Sequence, residues 1–192
     1  MDIILIEIFP QEKAQLFLNN YLLLFLVIIL FLRFFFEKLP AVNLAPYIHL
    51  PLSRRTLSYS YLLFSFFNLY NYLPVTFILA YWLKNNFLLA TYNDFVWVSG
   101  FIILNYAFCI LAIFFRLHFS KQPFLFVLLF IFFIIQLTFN SFNFADLAYS
   151  SSVWLFNGLL YESLYFLLIP ITILFFSFYI TFLSMKRSLY LG

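Results

Sequence analysis

The sequence predicts an all-α membrane protein of about five transmembrane helices, and three observations carry that prediction. First, 66% of the 192 residues are apolar and only 9% are charged. A soluble domain carries roughly 25% charged residues, so these charges are too few to clothe a surface in water. Second, the apolar residues gather in five stretches close to the roughly 20 residues a helix needs to cross a hydrocarbon core about 30 Å thick. Third, the charges between those stretches alternate in sign along the chain. The composition excludes an ordinary soluble enzyme, a disordered tail and a nucleic-acid-binding module.

The expected spans form one transmembrane domain over residues 1–192 and fall at about 16–36, 58–83, 95–115, 123–142 and 163–184. The first runs on through Phe34, Phe35 and Phe36, and the second is the longest clean stretch. Asp94 and Arg116 flank the third. Pro123 opens the fourth, where its missing N–H costs nothing. Lys186 and Arg187 close the fifth. These stretches are apolar on every face, which suits lipid-buried helices. Strands of a membrane barrel would alternate polar and apolar residues. With 32 Phe beside 3 Gly, single phenylalanines carry no functional signal.

The charges set an orientation. Arg33, Lys38, Arg54 and Arg55 fall in the first connection, Arg116 and Lys121 in the third, Lys186 and Arg187 at the C-terminus; these are eight of the 10 basic residues. The other side holds Lys13 and Lys84 with Asp2, Glu7, Glu12, Asp94, Asp146 and Glu162, six of the seven acidic residues. Short basic loops stay cytoplasmic, so a cell-membrane protein with its N-terminus outside and C-terminus in the cytoplasm is expected. Asp2 and Glu7 stand where a secretory signal would be basic, and the apolar run over 3–9 is short. That start is expected to be an interfacial stub, or to follow a span that precedes Met1.

The first cytoplasmic connection holds Pro40, Pro46 and Pro51, each of which biases the residue before it away from helix. Residues 41–50 are apolar enough to lie on the membrane or against a partner. Ser53 stands where an N-cap belongs, ahead of a helix opening at Arg54. On these grounds alone the loop reads first as an interfacial connector whose arginines only set topology.

The run Tyr47-Ile48-His49-Leu50-Pro51-Leu52-Ser53-Arg54-Arg55 before a hydrophobic span resembles a segment of type-2 ABC exporter permeases. In that family a short cytoplasmic coupling helix there meets the ATPase subunit. Residues 33–83, about a quarter of the chain, also resemble a family of uncharacterised bacterial, permease-like membrane proteins. The resemblance implies that Tyr47, Leu50, Pro51, Ser53, Arg54 and Arg55 form an ATPase-coupling segment. It also implies an outer hairpin before the last span. Such permease domains have six spans, so the sixth is expected before Met1.

Residues 153–184 would make one helix of about 48 Å, longer than the bilayer core is thick. Residues 152–161 are therefore expected to form a separate piece, set off near Glu162. It is either an interfacial helix anchored by Trp154 and Tyr161 or a re-entrant hairpin. Polar residues within spans are Asn68, Asn71 and Pro74 in the second, Asn105 in the third, Gln136 in the fourth and Pro170 in the fifth. Asn68 and Asn71 are expected to share a helix face. Interhelical hydrogen bonding or a substrate path would each account for them. No ionisable residue is expected near a span centre, which argues against buried-carboxylate ion coupling.

No catalytic, cofactor or metal site is expected. His49 and His118 lack neighbours at metal-ligand spacing, and Cys109, the one cysteine, sits inside a span as a packing residue. There is no Walker loop, so an ATPase would be a separate polypeptide. The expected function is the permease subunit, or part of one, of an ABC-type exporter. The expected partners are membrane lipids, that ATPase and a second copy or related subunit, with no nucleic acid. A non-transporting membrane scaffold or assembly protein is the alternative.

Overall fold

The computed structural model describes residues 11–36, 53–86, 91–119, 122–139, 144–161 and 164–188. Among these there are helices and no strands. They are α1 (Gln11–Phe36), α2 (Arg54–Ser65), α3 (Leu69–Asn86), α4 (Tyr92–Phe119), α5 (Pro123–Phe139), α6 (Phe144–Tyr161) and α7 (Leu168–Ser188), with a 3₁₀ turn at Leu164–Leu167. Phe17–Phe36, Arg55–Lys84, Tyr92–Phe119 and Leu164–Arg187 are long and apolar enough to cross a membrane. The protein is an all-α membrane protein.

α4 is the central helix, and α7 packs along it over most of its length. The two run parallel. Ile169 and Ile173 pack among residues at the Val96 to Leu104 level. Leu174, Phe178, Phe182 and Met185 pack against Ile110, Ile113 and Leu117. A parallel pair requires the chain to return between them. α5 makes that return with 17 residues, about 26 Å. Its Phe126 stacks on Phe34 at 3.8 Å between ring centroids, beside Phe31, Phe115 and Phe119.

Local sequence explains the helix ends. Ser53 caps α2, its Oγ accepting from the Thr56 N–H at 3.1 Å. The Asp94 carboxylate reaches back to the Thr91 N–H (2.8 Å) and hydroxyl (2.7 Å), closing a capping box on α4. Pro123 opens α5. Pro170 lies in the first turn of α7 rather than mid-helix, where its missing N–H has no ladder bond to lose.

Two elements differ from the sequence reading. The stretch over 58–83 is not one helix. It is interrupted at 66–68 between α2 and α3, which measure about 18 Å and 27 Å. Asn68 lies in that interruption and Asn71 in the first turn of α3, so they do not share a helix face. The piece before the last span is separate, as its length required, and it ends at Tyr161. It begins earlier than expected, at Phe144, and makes an 18-residue helix.

α6 lies across α1 and α4, with Ser152, Phe156 and Leu159 fully buried and Trp154 and Tyr161 exposed. The Ser152 hydroxyl enters the α1 ladder, donating to Asn19 O (2.5 Å) and accepting from the Leu23 N–H (3.2 Å). Asn19 also accepts from Trp97 Nε1 (2.9 Å) and donates to Asn157 Oδ1 (2.7 Å). In hydrocarbon, helices gain little from leaving lipid, so close backbone approach and such bonds hold them together. Gly100 and Gly158 allow that approach: a Cβ would lie 2.6 Å from Leu159 Cδ1 at the first and 2.2 Å from the Phe166 ring at the second.

Candidate functional site

The interruption between α2 and α3 gathers the buried polar groups. Its cause begins with Pro74, the sixth residue of α3. Proline has no N–H to give the carbonyl four residues back, and its ring crowds that carbonyl. The carbonyl is that of Tyr70. It accepts instead from Arg33 Nη2, at 2.9 Å. Asn68 caps the restart, its backbone carbonyl taking the Asn71 N–H (2.9 Å) and its Oδ1 the Tyr70 N–H (3.4 Å). The Asn71 Nδ2 turns back to the end of α2 and donates to Ser65 O (2.8 Å) and Phe66 O (3.1 Å). One asparagine thus supplies donors to two carbonyls at the end of α2, of which Ser65 O also takes the Asn68 N–H (3.2 Å).

α4 closes the arrangement. Asn105, midway along that helix and fully buried, accepts from Arg33 Nη2 at 3.1 Å through Oδ1. Its Nδ2 donates to Asn71 O, also at 3.1 Å. Cys109 Sγ lies 3.8 Å from Ser65 O. Arg33, Asn71 and Asn105 thereby tie α1, the broken α2–α3 pair and α4 into one polar knot.

Arg33 corrects two expectations. It is a residue of α1, in its last turn, and not of the first connection. Its side chain is 2% exposed, so an ionisable group does sit inside the bundle. A helical side chain leans toward its helix N-terminus, which carries the guanidinium from the end of α1 to the middle of α4. Placing an arginine at a helix centre in a bilayer costs on the order of 3 kcal/mol. Two hydrogen bonds to a charged donor, at about 1.5–3 kcal/mol each, are enough to offset it. They do not use the whole group: Nε and Nη1 are buried and have no hydrogen-bond partner among the described residues.

Arg33 lines a cleft of about 380 Å³ between α1 and α3. Its other walls are Phe25, Ile29, Leu32 and Phe36 from α1 and Tyr70, Leu73, Pro74 and Phe77 from α3. That volume is in the range of small-ligand sites.

The sequence-predicted coupling segment is placed only at its end. Tyr47, Leu50 and Pro51 lie outside the described residues, as does His49. Ser53 is the cap, and Arg54 opens α2. Arg55 is exposed, with its guanidinium 5.9 Å from the centre of the Tyr59 ring. None of these meets Arg33. His118 is exposed and bonded within its own helix to Phe114 O. Among the described residues no three His, Cys, Asp or Glu side chains are grouped to hold a metal.

Fold and site define an integral membrane bundle with an interrupted helix and a cation held at the interruption. The chain belongs to DUF5687, a family of unknown function whose model matches residues 1–192. No curated protein and no solved structure matches it.

Proposed function

We propose that this protein is the membrane-spanning subunit, or part of one, of an ABC-type exporter whose ATPase is a separate polypeptide. The observation that carries the reading is the interrupted α2–α3 helix with Arg33 at its break. Discontinuous helices at mid-membrane mark the binding regions of several transporter folds, and an ionisable residue inside a bundle is a functional group by default. α2 supplies the mechanical link. It is a capped helix of 12 residues that starts at the resemblance-bearing arginines and ends at the carbonyls held by Asn71. A displacement of its Arg54–Arg55 end by a docked ATPase would be carried about 18 Å to the break.

The test is recovery of an ATPase subunit with the tagged protein from native membranes. Changing Arg54 and Arg55 to Glu, with lysines placed at Asn43 and Ala45 to keep the orientation, should lower recovery while topology stays fixed. Equal recovery from both proteins, or none from wild type, would replace this reading with the membrane scaffold.

A further inference from the structure

We propose that Arg55 and Lys186, at the basic end of the seam between α2 and α7, hold the phosphate of one anionic phospholipid whose acyl chain lies along the seam. The rings of Tyr59 and Phe182 meet across that seam with centroids 4.4 Å apart, and Phe178 follows at 6.0 Å from Tyr59. The start of α2 meets the end of α7 there, since Leu57 and Met185 share one cluster with Ile113. Residues four apart share a helix face. Arg55 precedes Tyr59 by four and Lys186 follows Phe182 by four. Both cations therefore stand about one turn, roughly 5 Å, beyond the ring pair and on the same seam. The Arg55 guanidinium stays beside it, 5.9 Å from the centre of the Tyr59 ring.

Depth selects a lipid headgroup. On α4 the uncharged run from Phe95 to Phe115, between Asp94 and Arg116, rises about 32 Å, the thickness of a hydrocarbon core. Ile113 is within one turn of Arg116, so Leu57 and Met185 mark the edge of that core and the two cations lie at its rim. α2 gives the same level independently. Its exposed positions are Arg55, Thr56, Tyr59 and Ser60, and then Leu63 and Phe64, so its exposed face passes from polar to apolar between 60 and 63. Tyrosine belongs at that boundary. Phospholipid phosphates lie at this depth, where basic pockets between spanning helices take anionic headgroups.

Charge and shape complete the fit. Arg55 is exposed and Lys186 half-buried. Among the described residues no carboxylate stands at this end: Glu12 and Asp94 belong to the first turns of α1 and α4 at the other end, and Asp146 to the first turn of α6. Further along the seam the side chains are apolar and open. Leu63, four after Tyr59, and Phe175, seven before Phe182, are 55% and 70% exposed. From Lys186 to Phe175 the surface follows α7 for about 16 Å, the scale of an acyl chain. The seam is thus charged at one end and apolar along the rest, as a lipid is. Glu37 lies outside the described residues.

The site stands on the seam and not on the exporter reading. Binding is read on the purified chain with no ATPase present, so either can fail without the other. The whole chain is delipidated in a neutral detergent and titrated separately with phosphatidylglycerol, phosphatidylcholine and glycerol 3-phosphate. Native mass spectrometry counts the retained molecules. One phosphatidylglycerol per chain is expected, held at least ten-fold more tightly than either other probe, because each cation near an anionic surface contributes about five-fold. Arg55→Gln and Lys186→Gln should each lower that preference at least three-fold, and the double variant should lower it further. The single variants carry the test if the double variant does not fold. Arg187→Gln removes an exposed charge about 100° round α7 from Lys186 and should change the preference less than two-fold, as should Glu37→Gln.

A smaller preference in wild type, or a smaller loss in either single variant, would overturn the proposal. A loss in Arg187→Gln as large as in Lys186→Gln would overturn it too, by assigning the preference to diffuse charge. A ten-fold gain in Glu37→Gln would make that carboxylate, and not a lipid, the partner of the two cations.

Discussion

Replacing Asn105 with leucine, which keeps the branched skeleton and is somewhat larger, removes two hydrogen bonds without opening a cavity. One is the bond from Arg33 Nη2 to Asn105 Oδ1, at 3.1 Å; the other runs from Asn105 Nδ2 to Asn71 O, at 3.1 Å. A bond to a charged group contributes about 1.5–3 kcal/mol and a neutral one about 0.5–1.5. Side-chain bonds between membrane helices average nearer 0.6 kcal/mol, because the unfolded chain in lipid also finds partners. That discount applies to the neutral bond. It applies less to the charged one, since a guanidinium cannot discard its proton to escape burial. Asn105→Leu should therefore cost about 2–3 kcal/mol.

Arg33→Met should cost less, because it removes the expensive ion together with its bonds. The informative quantity is the double mutant. Once Arg33 is gone, Asn105 has no cation to hold, so the pair should be less destabilised than the sum of the singles by about 1–2 kcal/mol. Reversible unfolding in mixed micelles titrated with dodecyl sulfate, followed by circular dichroism and tryptophan fluorescence, gives all three values. Singles that add to within about 0.5 kcal/mol, the limit for uncoupled sites, would refute the reasoning.

Pro74→Ala restores the N–H that can satisfy Tyr70 O within α3. Proline to alanine inside a helix gains about 3 kcal/mol, but Arg33 then shares an acceptor, so the net gain should stay below about 1.5 kcal/mol in the same titration. A full gain of 3 would mean that the bond from Arg33 to Tyr70 O contributes nothing. Asn19→Leu should destabilise by about 2 kcal/mol, because it orphans Trp97 Nε1 and Asn157. Ser152→Ala should cost under about 1 kcal/mol, since Leu23 N–H and Asn19 O can then bond each other; the reverse order in thermal unfolding would contradict the α1–α6 arrangement. Gly158→Ala places a Cβ 2.2 Å from the Phe166 ring and should cost about 1–3 kcal/mol by overpacking, despite a gain of about 1 in helix propensity. Adding Phe166→Ala should recover the overpacking part, and no recovery would mean the ring is not the obstacle.

The fold class was legible because a bilayer leaves a coarse imprint: continuous apolar stretches and few charges. The caps at Ser53 and Pro123 were legible because they depend on one residue and its immediate neighbours. The separate α6 followed from length alone, though its start at Phe144 did not, since residues 144–151 mix apolar and polar positions without a boundary signal. The site was not legible. Arg33 has the same sequence signature as an arginine that marks a cytoplasmic loop, and only the path of α1 turns it inward. Pro74 was visible, and so was its distance of four from Tyr70; the interruption could have been read from that proline together with Asn68 and Asn71. What sequence could not supply was Asn105, 34 residues further on, as the partner that closes the knot.

The account rests most heavily on the α2–α3 interruption lying inside the bilayer. Single cysteines at Arg55, Phe67 and Lys84, in a background where Cys109 is alanine, test it with a membrane-impermeant maleimide applied to either face of native membranes. All three positions are exposed on the protein surface, so labelling reports the surrounding medium, and a thiol reacts as the thiolate, which hydrocarbon suppresses. Cysteines at 55 and 84 should label from opposite faces, and a cysteine at 67 should label from neither until detergent is added. Labelling at 67 as fast as at 55 in intact membranes, or labelling of 55 and 84 from the same face, would place the break in water and contradict the account.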